Sequence, residues 1–275
     1  NPDLRWQKKL DNSIGVDFTF FKNRLNGRFD YYTAVTKGML TDITVPPSTG
    51  FYSYRENMGE TENKGYEAYL NFRAFDHKAS KSYVNIFASV ARNKNKITKI
   101  SNSLKKFNED QDADKNQADN AANKSDITTP SVRFEEGQSM SAIWAVPSLG
   151  IDPQNGKEIF VKKDGSVTYQ WNAEDQVVCG DTQPEFTGNF GFNSEIKGFG
   201  ISATFSYRLG GQIYNSTLVD KVENASIYYN VDRRVFTDRW QKPGDVALYK
   251  SIADKSYTRP TSRFVEDNNT LTLSS

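Results

Sequence analysis

A single cysteine, Cys179, among 275 residues rules out an internal disulfide, and with it the staple on which many small secreted domains depend. Histidine is as scarce: His77 follows Asp76 with no second His or Cys nearby, so no zinc-type ligand set can be written. No apolar run reaches 18 residues, which excludes a helical membrane span. Thirty-five Lys and Arg nearly cancel 34 Asp and Glu, and a net charge of +1 offers no bulk field for nucleic acid or anionic lipid. No G-x-S-x-G elbow or phosphate-binding glycine loop occurs. The neighbouring carboxylates Glu60 and Glu62, or Glu135 and Glu136, do not make a glycosidase pair, because that chemistry depends on separation in space. The expectation is a protein without catalytic residues, metal or cofactor. Asp110, Asp112, Asp114 and Asn116 have the beat of a calcium loop, but Lys115 sits where Gly is required and Ala121 where Glu is required. The stretch from Asn108 to Asp126 therefore reads as a solvated loop.

What is abundant is alternation. From Phe186, Phe190, Phe192 and Ile196 the apolar positions are even-numbered, and after Lys197-Gly198 they are odd-numbered: Phe199, Ile201, Ala203, Phe205, Tyr207 and Leu209. Strand side chains alternate faces with period two, so a two-residue hairpin pairing Ile196 with Phe199 and Phe190 with Phe205 puts both sets on one face. Four earlier runs behave alike, with Ile14 to Phe20, Phe29 to Val35, Tyr66 to Ala74 and Val84 to Val90 supplying the alternate apolar residues. No Lys, Arg, Asp or Glu falls on that face in any of the six runs. Hydrocarbon contact selects for this, since an Arg or Lys at the bilayer midplane costs about 2–4 kcal/mol. Each hairpin arm, about 10 residues long, suits a tilted transmembrane strand better than the usual soluble one.

Alternation also fits a soluble β-sandwich, a surface-displayed glycan-binding or adhesion module with one apolar face per sheet. Loop lengths favour the membrane. Short connections near Asn23 to Asn26, Asp76 to Lys81 and Lys197-Gly198 alternate with long ones from Lys37 to Asn63, Asn93 to Gln138 and Asn215 onward. Outer-membrane barrels have tight turns at one end and extended loops at the other. Asp164-Gly165 and Asp152 to Gly156 carry turn chemistry within those loops. The chain opens Asn1-Pro2-Asp3-Leu4 without a signal peptide and closes on Thr270 to Leu273 as if entering another crossing, which suggests an internal piece of a longer precursor.

Four blocks are recognisable in order: NPDLRWQKKLDNSIGVDFTFFKNRLNGRFDYYTAVTKGML at the start, VPPSTGFYSYRENMGETENKGYEAYLNF from Val45, GIDPQNGKEIF from Gly150, and GDTQPEFTGNFGFNSEIKGFGISATFSYRLGGQIYN from Gly180. Together they resemble the C-terminal half of SusC/RagA-family TonB-dependent outer-membrane transporters. Asn57, Gly59, Asn63, Gly65 and Glu67 follow the family's N-x-G-x-x-x-N-x-G-x-E. The resemblance implies that residues 1–275 are one part of an all-β, antiparallel transmembrane barrel of 22 strands, plugged by a separate N-terminal domain and carrying long extracellular loops. It further implies nutrient import across the outer membrane of a Gram-negative bacterium, with a SusD-like lipoprotein lid, TonB engaged through the plug, and an oligosaccharide or oligopeptide as ligand.

Candidate ligand-contacting rings are Tyr52, Tyr54, Trp171, Tyr228, Tyr229 and Trp240, all in segments expected to face outward. Aromatic faces accept sugar rings and peptide side chains alike, and the same rings also suit a membrane-boundary girdle. The polar alternate positions Asp17, Arg28, Asp30, Glu67, Arg73, Glu195 and Arg208 are expected to face the lumen and its plug.

Overall fold

The computed structural model describes residues 4–44, 53–117, 127–226, 228 and 230–275. Seven strands form one antiparallel sheet: β1 (Lys8–Phe20), β2 (Leu25–Thr44), β3 (Ser53–His77), β4 (Ser82–Ile100), β10 (Phe186–Ile196), β11 (Phe199–Leu209) and β14 (Thr270–Leu273), side by side in that order. The sheet is an open arc with β1 and β14 at its edges.

The register produces rows of like residues running across the arc. One row reads Phe18, Gly27, Leu70, Ala88, Phe190, Phe205 and Leu273. A row three residues away on each strand, Gly15, Asp30, Glu67, Ala91, Thr187, Arg208 and Thr270, belongs to the opposite face, an odd step reversing the side-chain direction. At the tight turn Lys197 (φ 51) and Gly198 (φ 88) are both left-handed, as a two-residue hairpin that matches strand twist requires, and Ile196 pairs with Phe199 as the parity switch predicts.

On the apolar face, from the Phe186/Leu209 pair down to Ile196/Phe199, ten residues rise along each strand. At roughly 3.3 Å per residue and a tilt of about 40° that is about 25 Å, the height of a barrel's apolar band. Within it Arg92 is the one formal charge on this face, at the upper edge, paired with Glu185 and lying over the Phe186 ring, 5.3 Å from its centroid and so in the cation–π range. Charges become frequent only above it, with Lys64 opposite Lys94 and Glu62 opposite Lys96. Among the described residues no second sheet covers this face: Ile14, Val16, Phe20, Leu70, Phe72, Ile86, Ile201 and Leu271 all stand exposed. A sandwich would bury them. The architecture is therefore that of a barrel segment, and the sandwich expectation falls.

Three expectations need correcting. The segment from Lys37 to Asn63 is mostly strand among its described residues, and the one from Asn93 to Gln138 begins as strand through Ile100: β2, β3 and β4 run 20, 25 and 19 residues, rising well above the band. Ala74 leaves the apolar face, because a bulge between Arg73 and Phe75 puts Phe75 opposite Val84 in its place. The acidic stretch lies in α1 (Asn102–Gln117), a helix rather than a loop up to its end, with 118–126 outside the described residues.

Above the band, the segments between β4 and β10 and between β11 and β14 fold into a cap. It contains α1, the pair β5 (Ala142–Ala145) and β9 (Val177–Asp181), the three-stranded β6 (Ser148–Ile151), β7 (Glu158–Val161) and β8 (Val167–Thr168), and the pair β12 (Gln212–Tyr214) and β13 (Val265–Asp267). Cys179 is a half-buried residue of β9. The cap's apolar core is small: Val219, Val222, Val235, Tyr249 and Phe264. Its position is fixed by what it buries on the sheet. Ala34, Thr36, Thr61 and Ile97, all on the polar face, are buried, and Thr61 and Ile97 border one pocket with Leu104 and Met140, so the cap leans over the polar side of the arc.

Candidate functional site

Two surfaces carry the candidate residues: the polar face of the arc and the interior of the cap. On the polar face, Arg28 grips both carboxylate oxygens of Asp30, at 2.6 and 3.0 Å, and stands 4.0 Å from Asp17. These groups, with Glu67 and Arg208, lie on adjoining rows, and Arg28, Asp30, Glu67 and Arg208 line an open concavity of about 740 Å³. Arg73 and Glu195 lie nearer the tight turns, outside that concavity. Arg73 donates to Asn85 at 3.2 Å and covers the Tyr83 ring at 5.2 Å, while Glu195 is opposite Tyr83 on the neighbouring strand. The seven polar positions thus share one face but form two groups.

The N-x-G-x-x-x-N-x-G-x-E stretch is where arc meets cap, and each member has a physical task. Asn57 accepts from the Arg5 amide at 2.7 Å and donates to Arg5 O and Gly38 O, both at 2.8 Å, acting as a piece of backbone between two strands. Gly59 (φ 135) lets the chain pass Lys99 O, with which a Cβ would collide. Asn63 accepts from Asn95 at 2.9 Å, and Asn95 in turn accepts from the Met140 amide at 3.0 Å, tying β3 and β4 to the cap. Gly65 leaves room for the Tyr32 ring, whose hydroxyl donates to Asn93 at 3.2 Å. Glu67 then opens onto the concavity.

In the cap, α1 is held by polar contacts from one helical face. Asn108 exchanges hydrogen bonds with the Phe134 backbone, Asp112 pairs with Arg133 at 2.5 Å, Asn116 bonds to Asn172 and to the Ala173 amide, and Lys115 donates to Thr129 O at 3.1 Å. Burial pulls the Lys115 ammonium down to about 8. Deeper in, Arg263 joins two carboxylates, meeting Glu158 at 2.9 and 2.8 Å and Glu223 at 2.8 Å. Arg239 fills its donors with the carbonyls of Val222, Glu223, Val235 and Lys250. These buried ions have no counterpart in the sequence reading, which looked for charge only on surfaces.

Of the candidate rings, Tyr52 and Tyr229 lie outside the described residues, and Tyr54 is placed by its backbone alone, opposite Ile43. Tyr228 stands free at 88% exposure. The Trp240 ring packs over Gly156 (φ 71), where a Cβ would meet it, and its N–H donates to Pro153 O at 2.9 Å. Asp152 completes that turn, accepting from the Gln154 amide, the Asn155 side chain and the Tyr169 hydroxyl, which hold its carboxyl below the usual range. Trp171 donates to Pro260 O at 3.0 Å under the Arg259 guanidinium and borders a cap cavity of about 870 Å³. The structure does not bring the six rings together. Glu60 and Glu62, and Glu135 with its neighbour Glu136, are occupied by Lys37, Lys64, Arg133 and the Ile100 amide respectively. Among the described residues no cluster of metal-ligating side chains occurs.

No family model matches the chain. It is similar to curated proteins, 28% identical over 235 residues (80% of the chain) to TonB-dependent receptor P3 of Formosa agariphila and 29% identical over 102 residues (36% of the chain) to TonB-dependent receptor SusC of Bacteroides thetaiotaomicron. The chain spans 22% and 10% of those relatives' lengths. Among solved structures it superposes on 29% of a chain of the RagAB peptide transporter with a TM-score of 0.76 and 22% identity, 99% of the present chain being covered. That likeness gives the same barrel fold, and the relatives are named as receptors and transporters rather than enzymes.

Proposed function

We propose that this chain, homologous to TonB-dependent receptors of the SusC type, is a stretch of barrel wall and mouth in an active outer-membrane importer. The observation that carries the proposal is the band, about 25 Å tall, facing away from the cap side, which holds a single formal charge, Arg92, at its upper edge, on a sheet that shares its fold with a transporter barrel. The cap faces outside the cell and captures an oligosaccharide or an oligopeptide beneath a SusD-like lipoprotein. The Arg28, Asp30, Glu67 and Arg208 concavity packs against a plug domain, and that plug engages TonB. The chain's role is to shape the pore and its mouth; the energy comes from the inner membrane through TonB.

The test uses the complete transporter. Purified in detergent, it is expected to migrate anomalously on unheated SDS gels and normally after boiling. In cells, uptake of its oligosaccharide should stop on loss of TonB or on addition of a proton uncoupler. A protein that stays monomeric in water without detergent contradicts the proposal.

A further inference from the structure

Among its described lining residues, the 870 Å³ cap cavity has a surplus of positive charge. The two carboxylates among them are already committed. Glu158 gives its two oxygens to Arg263 behind the wall, and Asp254 accepts from the Ser256 amide at 2.9 Å and hydroxyl at 2.6 Å with Lys250 3.8 Å away. Lys250 is itself buried against Ser256, and Arg259 lies over Trp171. Two further ammonium groups, Lys157 and Lys255, line the cavity, are exposed, and have no ion-pair partner within 4.0 Å among the described residues.

Beside these cations stand two rings with fixed orientation. Tyr169 is half-exposed and pinned through its hydroxyl to Asp152 at 2.5 Å, and Trp171 is pinned through its N–H to Pro260 O. Rings held in place offer stacking area at a reduced entropy cost on binding, and ammonium groups outside close ion pairs beside them attract anions. The cavity's size falls in the range of small-ligand sites.

We infer that this cavity captures a negatively charged sugar, an oligosaccharide whose ring packs on Tyr169 and Trp171 while its carboxylate or sulfate meets Lys157 and Lys255. The inference rests on the importer proposal and narrows its cargo to acidic glycans.

Binding is to be measured calorimetrically on the complete transporter in detergent with tetragalacturonate, a sulfated carrageenan tetrasaccharide, neutral galactotetraose and tetraglutamate. The acidic saccharides should bind at least tenfold more tightly than the neutral one, and the preference should shrink between 50 and about 500 mM salt as screening lengths shorten. The double variant Lys157→Ala with Lys255→Ala should lose that preference, and Lys157→Arg with Lys255→Arg should keep it. The sulfated and carboxylated probes tell which anion is preferred. Equal binding of acidic and neutral saccharides, an unaffected alanine double variant, or tightest binding of tetraglutamate overturns the inference. None of these outcomes bears on the importer proposal, which is judged by heat-modifiable migration and TonB-dependent uptake.

Discussion

The wall and the cap of this chain solve the problem of burial in opposite ways. In the wall, apolar side chains point outward and stay exposed, and order comes from the backbone ladders between neighbouring strands. In the cap, a small apolar core is outweighed by buried ions: Arg263 between Glu158 and Glu223, Arg239 in a ring of carbonyls, Lys115 in the last turn of α1 against Thr129 O. A wall that meets hydrocarbon needs little side-chain packing on that face, because lipid takes the place of a core. A cap built from irregular loops must satisfy its many backbone carbonyls internally, and long cations reach several at once.

The largest effect should come from Arg263. Replacing it with Leu strands Glu158 and Glu223 without their shared cation, so the cap should lose about 3–5 kcal/mol. Limited proteolysis should then cut between 140 and 185, while heat-modifiable migration of the barrel persists; loss of both together would mean that wall and cap are not separable. Next comes Leu70→Arg, in the middle of the apolar band, expected to cost the wall about 2–4 kcal/mol in lipid refolding titrations, whereas Asn71→Arg one residue along should cost under about 1 kcal/mol.

That one-residue contrast is also why the wall was readable and the cap was not. Strand parity is written in every second residue, and Lys197-Gly198 marks the point where it switches, so the pairing of Phe190 with Phe205 follows from counting. The bulge that replaces Ala74 by Phe75 has no such mark. Strand extensions past Lys37 and Asn93 looked like loops because Glu60, Glu62, Lys94 and Lys96 are charged, yet above the band the outer face meets water while the inner face meets the cap, so the apolar alternation of the band does not continue. Helix α1 buries Leu104, Asn108 and Lys115 along one side, a polar stripe with no 3.6-residue apolar signal to find. As for the ligand rings, Trp171 and Trp240 were legible as aromatic residues in loops, but the contacts that fix them, with Pro260 and Pro153, are distant in sequence.

Two smaller effects sharpen the comparison. Gly65→Ala forces a methyl against Tyr32 and Arg92 O and should cost about 1–3 kcal/mol through overpacking at the junction, read as a lower refolding midpoint. Lys115 gives the cap a pH dependence of its own. Its proton leaves at about 8 in the folded cap against 10.5 when unfolded. Between those values the unfolded chain holds more protons, so cap stability should rise with pH by about 1 kcal/mol per unit, and Lys115→Met should flatten the slope. A cap whose thermal stability falls from pH 8 to 9.5 contradicts that sign.

The most direct measurement places nitroxide labels singly at Phe190 and at Asn189, with Cys179→Ser as background, in the complete transporter reconstituted into vesicles. The Phe190 label should collide with dissolved oxygen and be shielded from a water-soluble nickel chelate, as a site in lipid tails is, and the Asn189 label should not show that signature. If the Phe190 label is shielded from both reagents, or open to the chelate, its ring meets protein or water and the membrane-facing wall is wrong.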